Sequence, residues 1–552
     1  MTDEYVAEAN DDSSLPLHEL MSQVLAPDRS RLQRASGLVP ALGTMQRLNQ
    51  RLARQPIADF VNAILRGIGQ VVFVNNPLSG LLILLALAIQ SPWIAVMSLL
   101  GLLASTLTAI WLQLDRTAIR NGIFGYNGIL VGAALAIFGL SGNGSWHAGW
   151  AIAVIVFAAH TTVLMKTMGM WLVTRFKVPP LTLPFNLVTL FFLSAVLFLP
   201  QSFFDLGPPA LPAVPLSSIN WLNLVRSLPI GFGQIFLVDR LLPGCLIFLA
   251  VAICTPLGAL VGLLGCCLGV AIGLVVGVAP GTLYAGLWGY NAILTALAIG
   301  GVFYAPTLFG ILLGCGCAIA TTLFGGALSL LLSFLGLPVL SVPFCMATMS
   351  CVALMRKFLP SLVPVALHAV TSPEEHRQRY LVAREVISNF RRQLKAAIAG
   401  QRHHFLFDRS SVALRGDLRY IFDAIDTDRS GTLSTQELAT HLRQAGQVPS
   451  ETELAYLFDR MDADGNGEID FAEFGELMLR HQRLMARYDE FRTYFVPIDA
   501  NGDDCISLDE MNVAFSSVNQ PLLSAAEAAF LHKQANGKPL TWNRFIEMLL
   551  VT

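Results

Sequence analysis

Apolar residues fill this chain in long runs between about residues 56 and 365, and charges fall between the runs rather than inside them. From Leu241 to Met355 there is no Asp, Glu, Lys, Arg or His. A helix needs about 20 apolar residues to cross a bilayer, so this stretch alone predicts several membrane spans. Of the twelve Asp, Glu, Lys and Arg residues between 71 and 370, nine are basic, as interfacial and cytoplasmic positions are. Ser91-Pro92-Trp93 splits one apolar run and Ser141–Ser145 splits another. Pro208, Pro209, Pro212 and Pro215 mark a connecting loop, 201–220. The pattern predicts an all-α, polytopic membrane domain of about ten helices, with one half at 56–200 and the other at 221–365.

The flanks read differently. Residues 1–55 form a polar and then amphipathic segment. Over 25–55, Leu38, Leu42, Met45, Leu48 and Leu52 keep helical spacing, with Arg47, Arg51 and Arg54 opposite. In the linker, 366–410, Ser372-Pro373-Glu374-Glu375 has the layout of a helix start. The helix expected over 376–396 sets Ala383, Ile387, Phe390 and Leu394 on one face, and Arg377, Arg379, Arg384, Arg391, Arg392 and Lys395 make it basic. Residues 411–552 return to ordinary charge content and predict a soluble helical domain.

Composition sharpens this picture. With 13% charged residues and a mean hydropathy of +0.58, the chain is too apolar for an ordinary soluble protein. The net charge of −2 sums a basic membrane part and an acidic tail. Eight of nine cysteines lie in the second membrane half and read as small packing residues, not as a disulfide framework. The early acidic residues Asp3, Glu4, Glu8, Asp11 and Asp12 do not have the layout of a cleaved signal peptide. No polar catalytic cluster points to an enzyme, and no nucleic-acid partner is expected.

Two stretches of the membrane domain nearly coincide. Gly122-Ile123-Phe124-Gly125-Tyr126-Asn127-Gly128-Ile129-Leu130 returns from 286 as Gly286-Leu287-Trp288-Gly289-Tyr290-Asn291-Ala292-Ile293-Leu294, an offset of 164 residues. Gly67-Ile68-Gly69-Gln70 and Gly231-Phe232-Gly233-Gln234 keep that offset, and Thr182-Leu183-Pro184-Phe185 pairs with Ser341-Val342-Pro343-Phe344 at 159. Three paired motifs in the same order predict two homologous repeats, inverted if each crosses an odd number of times. Such repeats enclose a pathway at their interface near the bilayer midplane.

These motifs, with the Asn75-Asn76-Pro77-Leu78-Ser79-Gly80 run, make residues 56–365 resemble the urea transporter family. The resemblance implies a homotrimer with one urea pore per subunit. It implies that Gln70 and Gln234 begin short tilted helices facing the pathway, and that Phe73 walls the slot, with Leu237 as its counterpart. Tyr126, Leu130, Tyr290 and Leu294 would line the slot from the Gly-Tyr-Asn elements, where many family members carry Phe in place of the two tyrosines. Thr182 and Ser341 would place hydroxyls at the central constriction. Asn127 and Asn291 read as backbone-fixing residues. Urea offers four N–H donors and one carbonyl, so a flat slot with oxygen acceptors suits it. Ion-coupled carriers keep buried ionisable residues; this domain has almost none away from segment ends, which favours passive permeation. His147 and His160 have no partners in the second half; His147 reads as interfacial and His160 as a packed membrane residue.

The tail resembles the EF-hand family. A twelve-residue loop with oxygen ligands at positions 1, 3, 5, 7 and 12 and Gly at 6 holds calcium. Asp426, Asp428, Ser430, Thr432 and Glu437 fit it, and Asp462, Asp464, Asn466, Glu468 and Glu473 fit it better. In a third loop Asp499, Asn501, Asp503, Cys505 and Glu510 hold weaker positions, because Asp504 stands where the turn wants Gly. A fourth loop near 536 lacks the ligand series and is expected to pair, metal-free, with the third. The expected protein is an integral membrane urea channel with a cytoplasmic Ca2+-binding tail. The helices at 25–55 and 376–396 are either targets of that tail or lipid-surface helices. A channel for another small amide or ammonia, and a calcium-responsive membrane scaffold, are the alternatives.

Overall fold

The computed structural model describes residues 43–139, 148–197, 219–358, 372–398, 406–408, 410–444, 465–486, 505–517, 520–534 and 540–541, with isolated positions between 451 and 462. These fall into two compact units, one ending at Tyr380 and the other starting at Leu381.

The first unit is helical. After α1 (Gln46–Leu52) come α2 (Pro56–Gln70), α3 (Pro77–Gln90), α4 (Pro92–Trp111), α5 (Arg116–Arg120), α6 (Tyr126–Phe138), α7 (Ala148–Phe176) and α8 (Leu183–Leu197). The second half runs α9 (Trp221–Gln234), α10 (Leu241–Cys254), α11 (Pro256–Val276), α12 (Pro280–Tyr284), α13 (Tyr290–Leu297) with a π-helical turn Ala298–Val302, α14 (Leu308–Ser333) and α15 (Val342–Phe358). Helix lengths keep step between the halves: α2 and α9 have 15 and 14 residues, α4 and α11 have 20 and 21, and α5 and α12 have 5 each. Among the described residues α4, α7, α11 and α14 are long and apolar enough to cross a bilayer, and six shorter apolar helices accompany them. Trp111, Val275, Leu308 and Phe334 stay exposed, as a lipid-facing surface requires.

Local chemistry sets the helix ends. Asn76 caps α3, its Oδ1 accepting from Leu78 N at 2.8 Å, with Pro77 in the first turn. Thr255 caps α11 through Gly258 N at 2.9 Å, again ahead of a proline. Pro92 opens α4 where Ser91-Pro92-Trp93 splits the run. The splits at Ser141–Ser145 and most of 201–220 lie outside the described residues.

Glycines bring the paired motifs into backbone contact. Gly122 and Gly286 both take φ +74°, a left-handed backbone costly for other residues. A β-carbon on Gly122 would fall on the backbone of Gly67, and one on Gly286 on that of Gly231. The motif at 67–70 therefore packs against the one at 122–130, and 231–234 against 286–294.

Of the helix expected over 25–55, residues 25–42 lie outside the described residues. Within its described part only Gln46–Leu52 is helical, because Gly43 and Met45 take positive φ. Their segment is tied down by Arg66, which is fully buried on α2. Arg66 donates to Thr44 O at 2.9 Å, Met45 O at 3.2 Å and Asn62 Oδ1 at 3.1 Å, and also to Asn75. Neutral oxygens thus hold this buried guanidinium.

The helix α16 (Pro373–Ile398) begins as the sequence indicates, with Glu375 N donating to Ser372 Oγ at 3.3 Å. Its first turn belongs to the first unit. Glu374 Oε1 accepts from Thr255 Oγ1 at 3.0 Å and Leu257 N at 2.6 Å, and His376 Nδ1 lies 2.9 Å from Gly301 O in the π-helical turn.

In the second unit, α17 (Val412–Ile425), β1 (Thr432–Leu433), α18 (Thr435–Gln444), β2 (Ile469–Asp470) and α19 (Phe471–Ala486) build one lobe. β1 pairs antiparallel with β2, Leu433 opposite Ile469, over a core of Phe422, Phe458 and Phe474. Then β3 (Cys505–Ile506), α20 (Leu508–Ser517), α21 (Ala525–Gln534) and β4 (Leu540–Thr541) follow, with β3 antiparallel to β4. The fourth segment therefore pairs with the third loop, as expected. On α16, Arg391 is buried rather than part of an open basic face. It donates to Glu527 at 3.0 and 3.1 Å, to Leu522 O at 2.8 Å and to Pro521 O.

Gly122→Ala is expected to cost on the order of 3 kcal/mol, combining a strained φ with overpacking. Gly316→Ala, where nothing lies within 4 Å of the new β-carbon, should be neutral or slightly stabilising. Thermal unfolding of detergent-solubilised protein checks both; equal effects would mean that the glycine–glycine contact is not limiting.

Candidate functional site

Gln70 and Gln234 do not begin helices but end α2 and α9, and the two helices end alike. After Gln70 the chain turns through Phe73 at φ +60°, and after Gln234 through Leu237 at φ +59°. Val74 N returns to Gly69 O at 3.1 Å, and Val238 N to Gly233 O at 3.1 Å. The glutamine side chains brace the neighbouring motif: Gln70 Nε2 donates to Asn121 O at 2.9 Å and Gln234 Nε2 to Ala285 O at 2.7 Å. Each carbonyl directly precedes a positive-φ glycine.

The Gly-Tyr-Asn elements hold the next pair of irregular segments. Leu181 and Leu340 have φ +50° and +51°, a backbone that costs a non-glycine residue about 1–3 kcal/mol. Tyr126 OH donates to Leu181 O at 2.7 Å, and Tyr290 OH to Leu340 O at 2.7 Å. Asn127 Nδ2 adds 3.4 Å to the first carbonyl, and Asn291 Nδ2 adds 3.1 Å to the second. The tyrosine hydroxyls are thus committed to backbone carbonyls.

The clamped leucines deliver Thr182 and Ser341 to one point. Their hydroxyl oxygens lie 2.7 Å apart, both buried, at the starts of α8 and α15. Residues 159 apart in sequence therefore touch. The pair borders a cavity of about 530 Å³ that Leu130, Gln234, Leu237, Tyr290 and Leu294 also line. Gln70, Phe73 and Tyr126 do not line it. Phe73 instead meets Phe303 and Phe344 edge-on, each at 6.1 Å between centroids. Phe185, quoted only as part of its motif, joins the lining. Asp239 is exposed at the rim, where Gln90 Nε2 donates to it at 2.7 Å. His160 is exposed on α7 rather than packed, and His147 lies outside the described residues.

Behind the hydroxyl pair lie Asn186, which the sequence reading passed over, and Cys345, which it took for a packing residue, each buried and one helical turn beyond Thr182 or Ser341. Their own separation of 159 residues, the same as that of the hydroxyl pair, was the available signal.

In the second unit, carboxylate oxygens of Asp426, Asp428 and Glu437 lie within 4.8 Å of one another. Gly431, at φ +85°, donates its N–H to Asp426 Oδ2 at 2.9 Å, and Ser430 N donates to Asp428 Oδ1 at 2.9 Å. Burial opposes the charge on Glu437, but donors from Ser434, Asp428 and Thr427 outweigh it and hold the carboxyl down to about 2. Three anionic groups gathered around a glycine turn fit a hard divalent cation that takes oxygen ligands. Ser430 Oγ bonds Thr432 O at 2.9 Å, which keeps both oxygens of those positions at the loop.

The second loop repeats the arrangement. Gly467 at φ +84° donates to Asp462 Oδ2 at 2.7 Å, and Asn466 N donates to Asp462 Oδ1 at 3.0 Å. Glu473 is buried and accepts from Asp470 N at 2.9 Å, while Glu468 accepts from Thr432 Oγ1 at 3.0 Å. Asp464 lies outside the described residues, as do Asp499, Asn501, Asp503 and the Cys505 side chain. Glu510 is buried and accepts from Ser507 N at 2.8 Å.

A family profile described as urea transporter matches residues 61–356, and one described as an EF-hand domain pair matches 416–479. Urea transporter 1 of Ovis aries is 38% identical over 361 residues, covering 64% of this chain and 91% of that protein. Urea transporter 1 of Capra hircus is 37% identical over 358 residues, with 64% and 91% covered. The Rattus norvegicus protein of the same name is 37% identical over 344 residues, with 61% and 88% covered.

Tyr126→Phe and Tyr290→Phe should each destabilise the first unit by about 1 kcal/mol, the net worth of one hydrogen bond, because the asparagine donor remains. Unfolding of the single and double variants checks this; no loss in either would show that the hydroxyls do not hold the leucine carbonyls.

Proposed function

Because the chain belongs to the urea transporter family, we propose that it conducts urea passively, as a channel, through a pore at the interface of two homologous inverted halves. The observation that carries this is the Thr182–Ser341 hydroxyl pair, 2.7 Å apart and bordering a largely apolar cavity. Hydroxyl and carbonyl oxygens serve the N–H groups of urea, and apolar walls admit a flat neutral molecule while offering an ion nothing to replace its water. Leu130, Leu237, Tyr290 and Leu294 shape the slot on the side of the cavity. Gln70, Phe73 and Tyr126 belong to the opposite mouth. The matched φ values at Phe73 and Leu237, at Gly122 and Gly286, and at Leu181 and Leu340 support the duplication. The chain works as a homotrimer in the bilayer.

The EF-hand pair binds Ca2+ at Asp426, Asp428, Ser430, Thr432 and Glu437, and at Asp462, Asp464, Asn466, Glu468 and Glu473, on the cytoplasmic side. Calcium modulates flux through α16. In support, Arg391 on that helix is gripped by Glu527 and the Pro521 and Leu522 carbonyls, while Glu374 and His376 near its start bond Thr255, Leu257 and Gly301. The third loop is a partner strand for the fourth and a weaker calcium site.

Stopped-flow permeability of proteoliposomes at low and high free calcium tests both parts. Saturable urea flux that changes with calcium is expected; no flux above protein-free vesicles would overturn the channel. Glu437→Gln with Glu473→Gln should lower calcium affinity at least about tenfold, or 1.4 kcal/mol, by removing one ligand charge per loop. Basal flux should persist in that variant without its calcium response, and an unchanged response would remove the loops from regulation.

A further inference from the structure

Asn186 and Cys345 sit behind the central hydroxyls and do not line the cavity. Two groups of fixed polarity orient the Asn186 amide. The Ser341 backbone N–H, a donor only, lies 3.1 Å from Oδ1, and the Thr182 carbonyl, an acceptor only, lies 2.9 Å from Nδ2. Oδ1 must therefore be the oxygen. Ser341 Oγ is 3.2 Å from that same Oδ1, so its hydrogen points at Asn186.

The rest of the chain follows by counting hydrogens. With the Ser341 hydrogen used, the 2.7 Å contact leaves Thr182 as donor to Ser341 Oγ. The Cys345 thiol, 3.2 Å from Thr182 Oγ1, then faces a hydroxyl oxygen whose own hydrogen is turned away. Both hydroxyl hydrogens are then taken up, one by Ser341 Oγ and one by Asn186, and lone pairs are what the constriction offers a permeant.

The geometry points to Asn186 as the positioning residue that makes the centre of the pore an acceptor-only site, selecting molecules by their number of N–H donors. This rests on the reading of the cavity as a urea pore. Urea, with four N–H bonds, gains more there than acetamide, which has the same planar frame and two. Cys345 stands where the other half has Asn186, so this control acts from one side.

The test is the ratio of urea to acetamide permeability for the full-length chain in proteoliposomes, corrected for protein-free vesicles. Ser341→Ala removes one acceptor, and Asn186→Leu frees the hydroxyl to turn toward the cavity. Each should lower the ratio about threefold or more, within the range of one hydrogen bond. The double variant should lower it no further than either alone, since Asn186 acts through Ser341. An Asn186 variant that slows both permeants equally has a merely structural role, which overturns the inference, as does an additive double variant. If Asn186→Leu does not fold, Ser341→Ala decides: an unchanged ratio overturns the inference while wild-type urea flux keeps the pore. Absence of wild-type flux overturns both.

Discussion

Leu181 and Leu340 enter the middle of the first unit with a backbone that leucine disfavours. No water is at hand in the apolar interior to satisfy a stray carbonyl, and an unpaired one costs about as much as a lost hydrogen bond or more. Each leucine carbonyl instead takes a tyrosine hydroxyl and an asparagine amide from a neighbouring helix start. That clamp decides where the next residue goes, so the meeting of Thr182 and Ser341 depends on it. It also depends on Gly122 and Gly286, because only residues without a β-carbon let the clamp-bearing segments lie on Gly67 and Gly231. Close backbone contact, clamped turns and touching hydroxyls form one mechanical sequence, present once in each half.

Much of this was legible in the chain because it is written twice. The paired glycines and tyrosines mark backbone constraints, and a constraint that recurs in order at a fixed offset stands out even in an apolar background. What the motifs could not say was which way each side chain turns. Tyr126 and Tyr290 read as slot walls; both hydroxyls bond carbonyls, and of the two only Tyr290 lines the cavity. The pairing of Asn186 with Cys345 escaped notice because an asparagine and a cysteine do not look like a pair; only their positions match. In the basic stretch at 25–55, the described part departs from a helix at Gly43–Met45 for another reason. Its leucines keep helical period, but Arg66 on the following helix draws the carbonyls of Thr44 and Met45 out of helical geometry. Tertiary demand from a buried guanidinium outweighed a local pattern.

The tail shows the opposite balance between local and distant information. Its loops are local by nature: ligands, glycine and turn lie within twelve residues, so the sequence pattern carries almost all the geometry. The pairing of β3 with β4 was legible from spacing alone. Arg391 was not. It sits among five other basic residues that make a solvated face the natural reading, and nothing nearby in sequence reveals that Glu527 and two carbonyls await it. A buried Arg–carboxylate pair of this kind contributes little net stability, because desolvation offsets attraction. Its consequence is specificity, since it fixes which surface of α16 meets the last two hands.

The paired motifs do not make the two halves equivalent, and side chains differ at several matched positions. Phe73 stands opposite Leu237, Thr182 opposite Ser341, and Asn186 opposite Cys345. At Phe73 and Leu237 the left-handed backbone matches within about a degree of φ, so the asymmetry there lies in the side chains. The Phe73 ring packs on Phe344 and Phe303, whereas Leu237 lines the cavity. The Asn186 amide, oriented by its bond to the Thr182 carbonyl, can fix a hydroxyl by accepting from it, while a thiol bonds weakly and fixes little. A shared backbone frame therefore carries a fixed hydrogen-bond direction at Asn186 in one half and a cavity-lining leucine at Leu237 in the other, a difference that identical side chains could not hold.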